Sequence, residues 1–182
     1  MEPIFVWWIG ERAEEPAVME HVRRHLTRAF GAPTILWSAP DRPSGTLDPA
    51  RRQHLSGRIL AWLLQAGPPG GKVLAITDLD LCIPILTYVF GEAQLGGPAA
   101  VVSTARLHEG ADLVGPRLVV ERLAKEAVHE VGHAFGLHHC DTPGCAMGRS
   151  AGVAAVDRKS HELCSTCQRR LKEPPARRGH VE

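Results

Sequence analysis

Between Val128 and Cys140 the chain reads VHEVGHAFGLHHC. His129 and His133 are four residues apart, a spacing that stacks two imidazoles one turn apart on one face of an α-helix. Neutral imidazoles so placed can fill two corners of a tetrahedral zinc site. Three residues after His133 stands Gly136, and a glycine can take the positive φ that ends a helix and turns the chain sharply. Such a turn would bring His139 back to the same point as a third ligand. Had the helix run on, His139 would lie about 240° around the axis from His133. The pattern H-E-x-x-H-x-x-G-x-x-H therefore predicts a helix, an abrupt stop and a three-histidine zinc site, against the plainer reading of histidines scattered over a helix surface. Glu130 sits one step round from His129, so it need not bind the metal and can act on the water that the metal holds. His138 points away from its neighbour His139 and reads as a flanking residue.

Four of the five cysteines follow directly: Cys140, Cys145, Cys164 and Cys167, two close pairs joined by a loop. That layout is usual for a closed four-thiolate structural zinc site. Adjacent residues project in different directions, so His139 can serve one metal and Cys140 another. The competing readings are two disulfides or four unrelated thiols. No segment approaches the roughly 20 apolar residues needed to cross a bilayer. The apolar opening, MEPIFVWWIG, lacks a basic n-region and a small-residue cleavage site. A cytoplasmic location is expected, where thiols stay reduced and clustered cysteines bind metal. Cys82 lies outside the set and reads as a small buried hydrophobe.

The rest of the chain predicts alternating strands and helices. Strands are expected at Pro3–Ile9, Thr34–Trp37, Lys72–Thr77 and Ala99–Leu107. Helices are expected at Glu15–Phe30, on the recurrence of Val18, Val22, Leu26 and Phe30, at about Asp48–Gln65, and at Pro116–Leu137. The stretch DLDLCIPILTYVFGEAQLGG carries no clear period. This order suggests an α/β layer, and 182 residues suit one domain. The tail, 174–182, reads as disordered. A net charge of +1 argues against a broad nucleic-acid-binding surface.

On HEVGHAFGLHHCDTPGCAM followed by CSTC, the chain resembles the archaemetzincins, a branch of the metzincin zinc peptidases. The match is specific from Lys125 to Cys167. The segments ITDLDL and VFGEAQLGG are similar to the family more weakly. Sixteen residues lie between Met147 and Cys164, about one fewer than the family pattern. The resemblance implies that Met147 forms the Met-turn beneath a catalytic zinc held by His129, His133 and His139. It implies a metzincin-like mixed, twisted sheet with helices above a cleft, about 1–139, and a small zinc-stabilised lobe, 140–173, within one peptidase domain, 1–173. Ala99–Leu107 would then be the antiparallel edge strand bordering the cleft and pairing with an extended peptide or protein substrate, the alternative being an ordinary interior strand.

The implied activity is zinc-dependent peptide hydrolysis, with Glu130 as general base and then proton donor to the leaving amine. Two zinc ions per chain are expected, one catalytic and one structural. Three rival readings compete. A catalytically idle two-zinc interaction module would not need Glu130. A nucleic-acid-binding role for the cysteine lobe lacks a basic, aromatic stripe. A transferase read from Asp78-x-Asp80 rests on a motif that turns favour anyway.

Overall fold

The computed structural model describes residues 1–12, 15–39, 41–111 and 115–173. In chain order the elements are β1 (Ile4–Trp8), α1 (Pro16–Phe30), β2 (Thr34–Trp37), β3 (Leu47–Asp48), β4 (Gln53–Leu55), α2 (Ser56–Ala66), β5 (Lys72–Thr77), β6 (Leu81–Cys82), β7 (Gly91–Ala93), β8 (Ala99–Ser103), α3 (Pro116–Ala134), α4 (Val153–Arg158) and α5 (Ser165–Lys172). The tail from 174 onward, expected to be disordered, lies outside the described residues. None of the described helices is long and apolar enough to cross a membrane.

The main sheet is mixed, in the order β2-β1-β5-β8-β7. Its first four strands run parallel and β7 is antiparallel to β8. Central parallel strands are covered on both faces and so need near-continuous apolar sequence. KVLAIT and AAVVS meet that need, and every residue of β8 is buried. Successive side chains point to opposite faces. Ile4, Val6, Leu74, Ile76, Ala100 and Val102 pack towards α1 and α3. Trp7, Val73, Ala75, Ala99 and Val101 pack towards α2 with Ile59, Leu60 and Leu63. The result is a mixed α/β fold with helices on both faces of the sheet.

Two expectations fail. Ala99–Leu107 is not an edge strand. Only Ala99–Ser103 is extended, and β5 and β7 flank it on either side. Its small, wholly buried side chains suit that interior position. The antiparallel edge is β7. The helix expected from Asp48 begins instead at Ser56. Asp48 folds its carboxylate back onto the amides of Ala50 and Arg51, Arg52 takes φ +54°, and the chain turns into the β3–β4 hairpin. Arg51 holds that hairpin by donating to the carbonyls of Ile83, Leu86 and Thr87. The apolar recurrence of the helix begins only at Leu55, and turn chemistry and long-range pairing decide the residues before it. The segment without a clear period supplies β6, which joins β3 and β4 in a second sheet, and β7.

Candidate active site

Helix α3 carries the histidine motif. Pro116 occupies its first turn, where a missing N–H costs nothing. The helix stops at Ala134, three residues before the expected Leu137. Gly136 has φ +90°. Its N–H donates to the His133 carbonyl at 2.8 Å, and that of Leu137 to the Gly132 carbonyl at 2.9 Å. This is the paired hydrogen-bond pattern of a Schellman stop. The same His133 carbonyl accepts from Gly96 N–H at 2.9 Å, which ties the turn after β7 to the helix end.

The turn returns His139 to α3. The ring centroids of His129, His133 and His139 lie 4.6, 5.3 and 4.8 Å apart. One nitrogen from each lies within 4.8 Å of the others. His129 Nδ1–H donates to the Ala146 carbonyl at 2.9 Å and His133 Nδ1–H to the Leu137 carbonyl at 2.7 Å. A carbonyl only accepts, so in each neutral ring Nδ1 carries the proton and Nε2 keeps its lone pair. The two Nε2 atoms face each other at 3.1 Å. Burial lowers the pKa of all three imidazoles, furthest for His129, where the charge of Lys159 adds to the effect. Neutral rings with converging lone pairs are the donor set that zinc takes. His138 is exposed and outside this group.

Glu130 is buried on the wall of a cleft of about 620 Å³, which is also lined by His129, His133, His139 and the β7 strand. Burial raises its carboxyl pKa well above the usual range. The nearby Glu126 adds to this and Lys159 opposes it. Room for Glu130 comes from β7. A Cβ on Gly91 would lie 2.7 Å from Glu130 Cγ and 2.8 Å from its Oε1. Beneath α3, Gly132 plays a matching part. A Cβ there would fall on the Sδ of Met147 and lie 3.0 Å from its Cε. Met147 is fully buried, and its neighbour Ala146 supplies the carbonyl that orients His129.

One further group was not legible in the sequence. Lys159 and Glu126 form a buried ion pair at 2.6 Å, with Ser150 donating to Glu126 at 3.0 Å and Lys159 to the Gly148 carbonyl at 3.2 Å. Glu126 lies one helical turn before Glu130, but nothing in its local sequence points to a lysine 33 residues away. Asp78 and Asp80 are structural. Asp78 accepts from the amides of Glu11 and Arg12, and Asp80 pairs with Arg106 and Gln53.

All five cysteines are free thiols. The Sγ atoms of Cys140, Cys145, Cys164 and Cys167 lie within 4.8 Å of one another, with Cys140–Cys164 at 3.7 Å and Cys145–Cys167 at 3.8 Å. Cys164 is the N-cap of α5. Burial opposes its ionisation. Hydrogen bonds from the Cys167 amide, Thr142 and the neighbouring thiols outweigh that and bring it to about 6. Four converging sulfurs, one already acidic, suit a closed thiolate zinc site. Cys82 stands apart and is fully buried, as expected.

Comparison with known proteins places the chain in a family. The sequence model of peptidase family M54 matches residues 69–173. The archaemetzincin of Halobacterium salinarum is 38% identical over 161 residues, covering 84% of this chain and 92% of its own. The crystal structure of archaemetzincin from Methanopyrus kandleri superposes with a TM-score of 0.80 at 31% identity, covering 93% of this chain and 92% of that one. A zinc-dependent peptidase from Methanocorpusculum labreanum also gives 0.80, at 27% identity, covering 92% and 99%. The chain belongs to peptidase family M54, the archaemetzincins, and is a zinc metallopeptidase.

Proposed function

We propose that His129, His133 and His139 hold the catalytic zinc, that Glu130 is the general base, and that Cys140, Cys145, Cys164 and Cys167 hold a second, structural zinc. The observation that carries this reading is the convergence of two orientation-locked Nε2 lone pairs and a third imidazole beside a buried carboxylate. Bound at the imidazoles, zinc supplies a Lewis acid that acidifies water and polarises a carbonyl.

Glu130 takes the proton from the attacking water and passes it to the leaving amine. Burial and Glu126 make its carboxylate a stronger base, while Lys159 limits that shift. Gly91 keeps the carboxylate against β7, so the base is positioned and need not swing in. The carbonyls of Ala146 and Leu137 fix the tautomer and tilt of His129 and His133, the usual work of groups behind metal-bound histidines. Met147 floors the site through Gly132 as the Met-turn residue. The outer edge of β7 borders the cleft and offers main-chain groups to an extended peptide. Residues 1–139 form the upper lobe and 140–173 the lower lobe of one peptidase domain.

A peptide-library cleavage screen on the zinc-loaded chain tests the reading. Cleavage should vanish on chelation, return with zinc, and be missing from Glu130→Ala. Cleavage that persists in Glu130→Ala would remove Glu130 from its role.

A further inference from the structure

A third group of metal-ligating side chains lies away from both clusters. His21 and His25 are one turn apart on α1, the same i, i+4 spacing that His129 and His133 use on α3. Glu121, on α3, and His161, in the segment between α4 and α5, face them. One ligand atom from each of the four lies within 4.8 Å of the others. The rings of His25 and His161 stack with centroids 4.1 Å apart, and those of His21 and His25 are 4.6 Å apart. Glu121 reaches both outer histidines, with Oε1 3.5 Å from His21 Nε2 and Oε2 3.1 Å from His161 Nε2. Even so, both Nε2 atoms are buried and neither finds a hydrogen-bond partner among the described residues.

We infer that His21, His25, Glu121 and His161 form a third metal site, which takes a divalent transition ion such as zinc, cobalt or nickel. Three imidazoles and one carboxylate are the donor mix that borderline ions prefer. Magnesium and calcium need six or more oxygens and are excluded by the same count. Two buried ring nitrogens without a hydrogen-bond partner are what a shared metal centre would satisfy. An access route is present. A pocket of about 310 Å³, lined by His25, His161, Ser160 and Glu162 among others, opens beside the cluster. With four protein ligands the site is closed to substrate, so its role is structural. It would staple α1 to α3 and to the segment that leads into Cys164.

The test is equilibrium dialysis of the zinc-loaded 182-residue chain against added zinc, with elemental counting. Wild type should hold one equivalent more than His161→Ala and one more than His25→Ala. Glu121→Gln, which keeps the side chain's size, should weaken that equivalent by at least about tenfold. Equal counts in wild type and in folded His161→Ala would overturn the site. Should a variant unfold, the wild type still decides. During zinc titration, the ring-nitrogen NMR signals of His21, His25 and His161 should shift together along one saturation curve. Signals that stay still through saturation would overturn the site as firmly. His133→Ala and Cys164→Ser report on the other two clusters, so their failure would leave this difference standing.

Discussion

At the residue scale, two hydrogens in place of side chains shape the site. Gly91 and Gly132 each let a neighbour occupy the space where a Cβ would stand, Glu130 in one case and Met147 in the other. Gly132→Ala should cost about 1–3 kcal/mol, the range for overpacking a filled core, measured by urea unfolding. By pushing Met147 down it should also move the Ala146 carbonyl from His129. Affinity for the histidine-bound zinc should then fall by about 10- to 100-fold in a chelator competition, the usual effect of losing a group behind a metal ligand. Unchanged affinity would separate the Met147 floor from the metal. Neither glycine was legible in the motif, because the pattern H-E-x-x-H-x-x-G-x-x-H leaves position 132 free and Gly91 belongs to a strand three residues long. What made Gly136 legible was local. Its φ is demanded by the return of His139, a relation of three residues.

Between elements, ion pairs join α3 to the chain that follows the cleft. Arg122 is almost fully buried and grips Asp157 with two bonds of 2.7 Å, while donating to the carbonyls of Leu107 and Glu109. Asp157→Asn should cost about 1.5–3 kcal/mol, the range for hydrogen bonds to charged groups. The pH dependence has a fixed sign. The hydrogen bonds and charge of Arg122 lower the Asp157 pKa below its ordinary 3.8. The unfolded chain therefore binds the proton first as pH falls. The gap between wild type and Asp157→Asn should be constant above that value and shrink as pH drops below it. A gap that stayed constant to the acid limit of folding would contradict the pairing. The buried Lys159–Glu126 pair gives a larger effect. Lys159→Ala strands a carboxylate beside Glu130 and should cost about 3–5 kcal/mol, read by thermal or urea unfolding. Glu126→Gln with Lys159→Met should recover most of it. Such long-range pairs explain why some elements were unreadable. The apolar recurrence Leu55, Ile59, Trp62 and Leu63 starts only at Leu55, and before it Asp48 makes a local turn while Arg51 finds its partners over thirty residues away. Strands β6 and β7 are two and three residues long, too short for any period to register. By contrast α1, β1, β5 and α3 follow from patterns contained within each element. Helix α3 ends three residues before the expected Leu137 because the amides of Gly136 and Leu137 already form its stop.

Across the whole molecule, the histidine and cysteine clusters proposed to hold zinc sit in different mechanical settings. His129 and His133 lie on a helix packed into the core by Leu123, Ala127 and Val131, and His139 follows the turn that ends it. The cysteines gather a segment whose own regular structure is two short helices, α4 and α5, tied to α3 by the Arg122–Asp157 and Lys159–Glu126 pairs. Metal binding is folding free energy where no preformed site exists. Cys164→Ser should therefore lose one zinc and lower the melting temperature strongly, while His133→Ala should lose one zinc and lower it little. Equal losses of stability would contradict this division.

The most direct measurement of the central claim is the paired zinc content and peptidase rate of Glu130→Gln. The substitution keeps the size of the side chain and removes the base. Zinc content and melting temperature should match wild type, while the rate of peptide cleavage falls by at least about 10²-fold, the lower end for loss of a general acid–base group. Loss of one zinc in Glu130→Gln, or cleavage at the wild-type rate, would contradict the account.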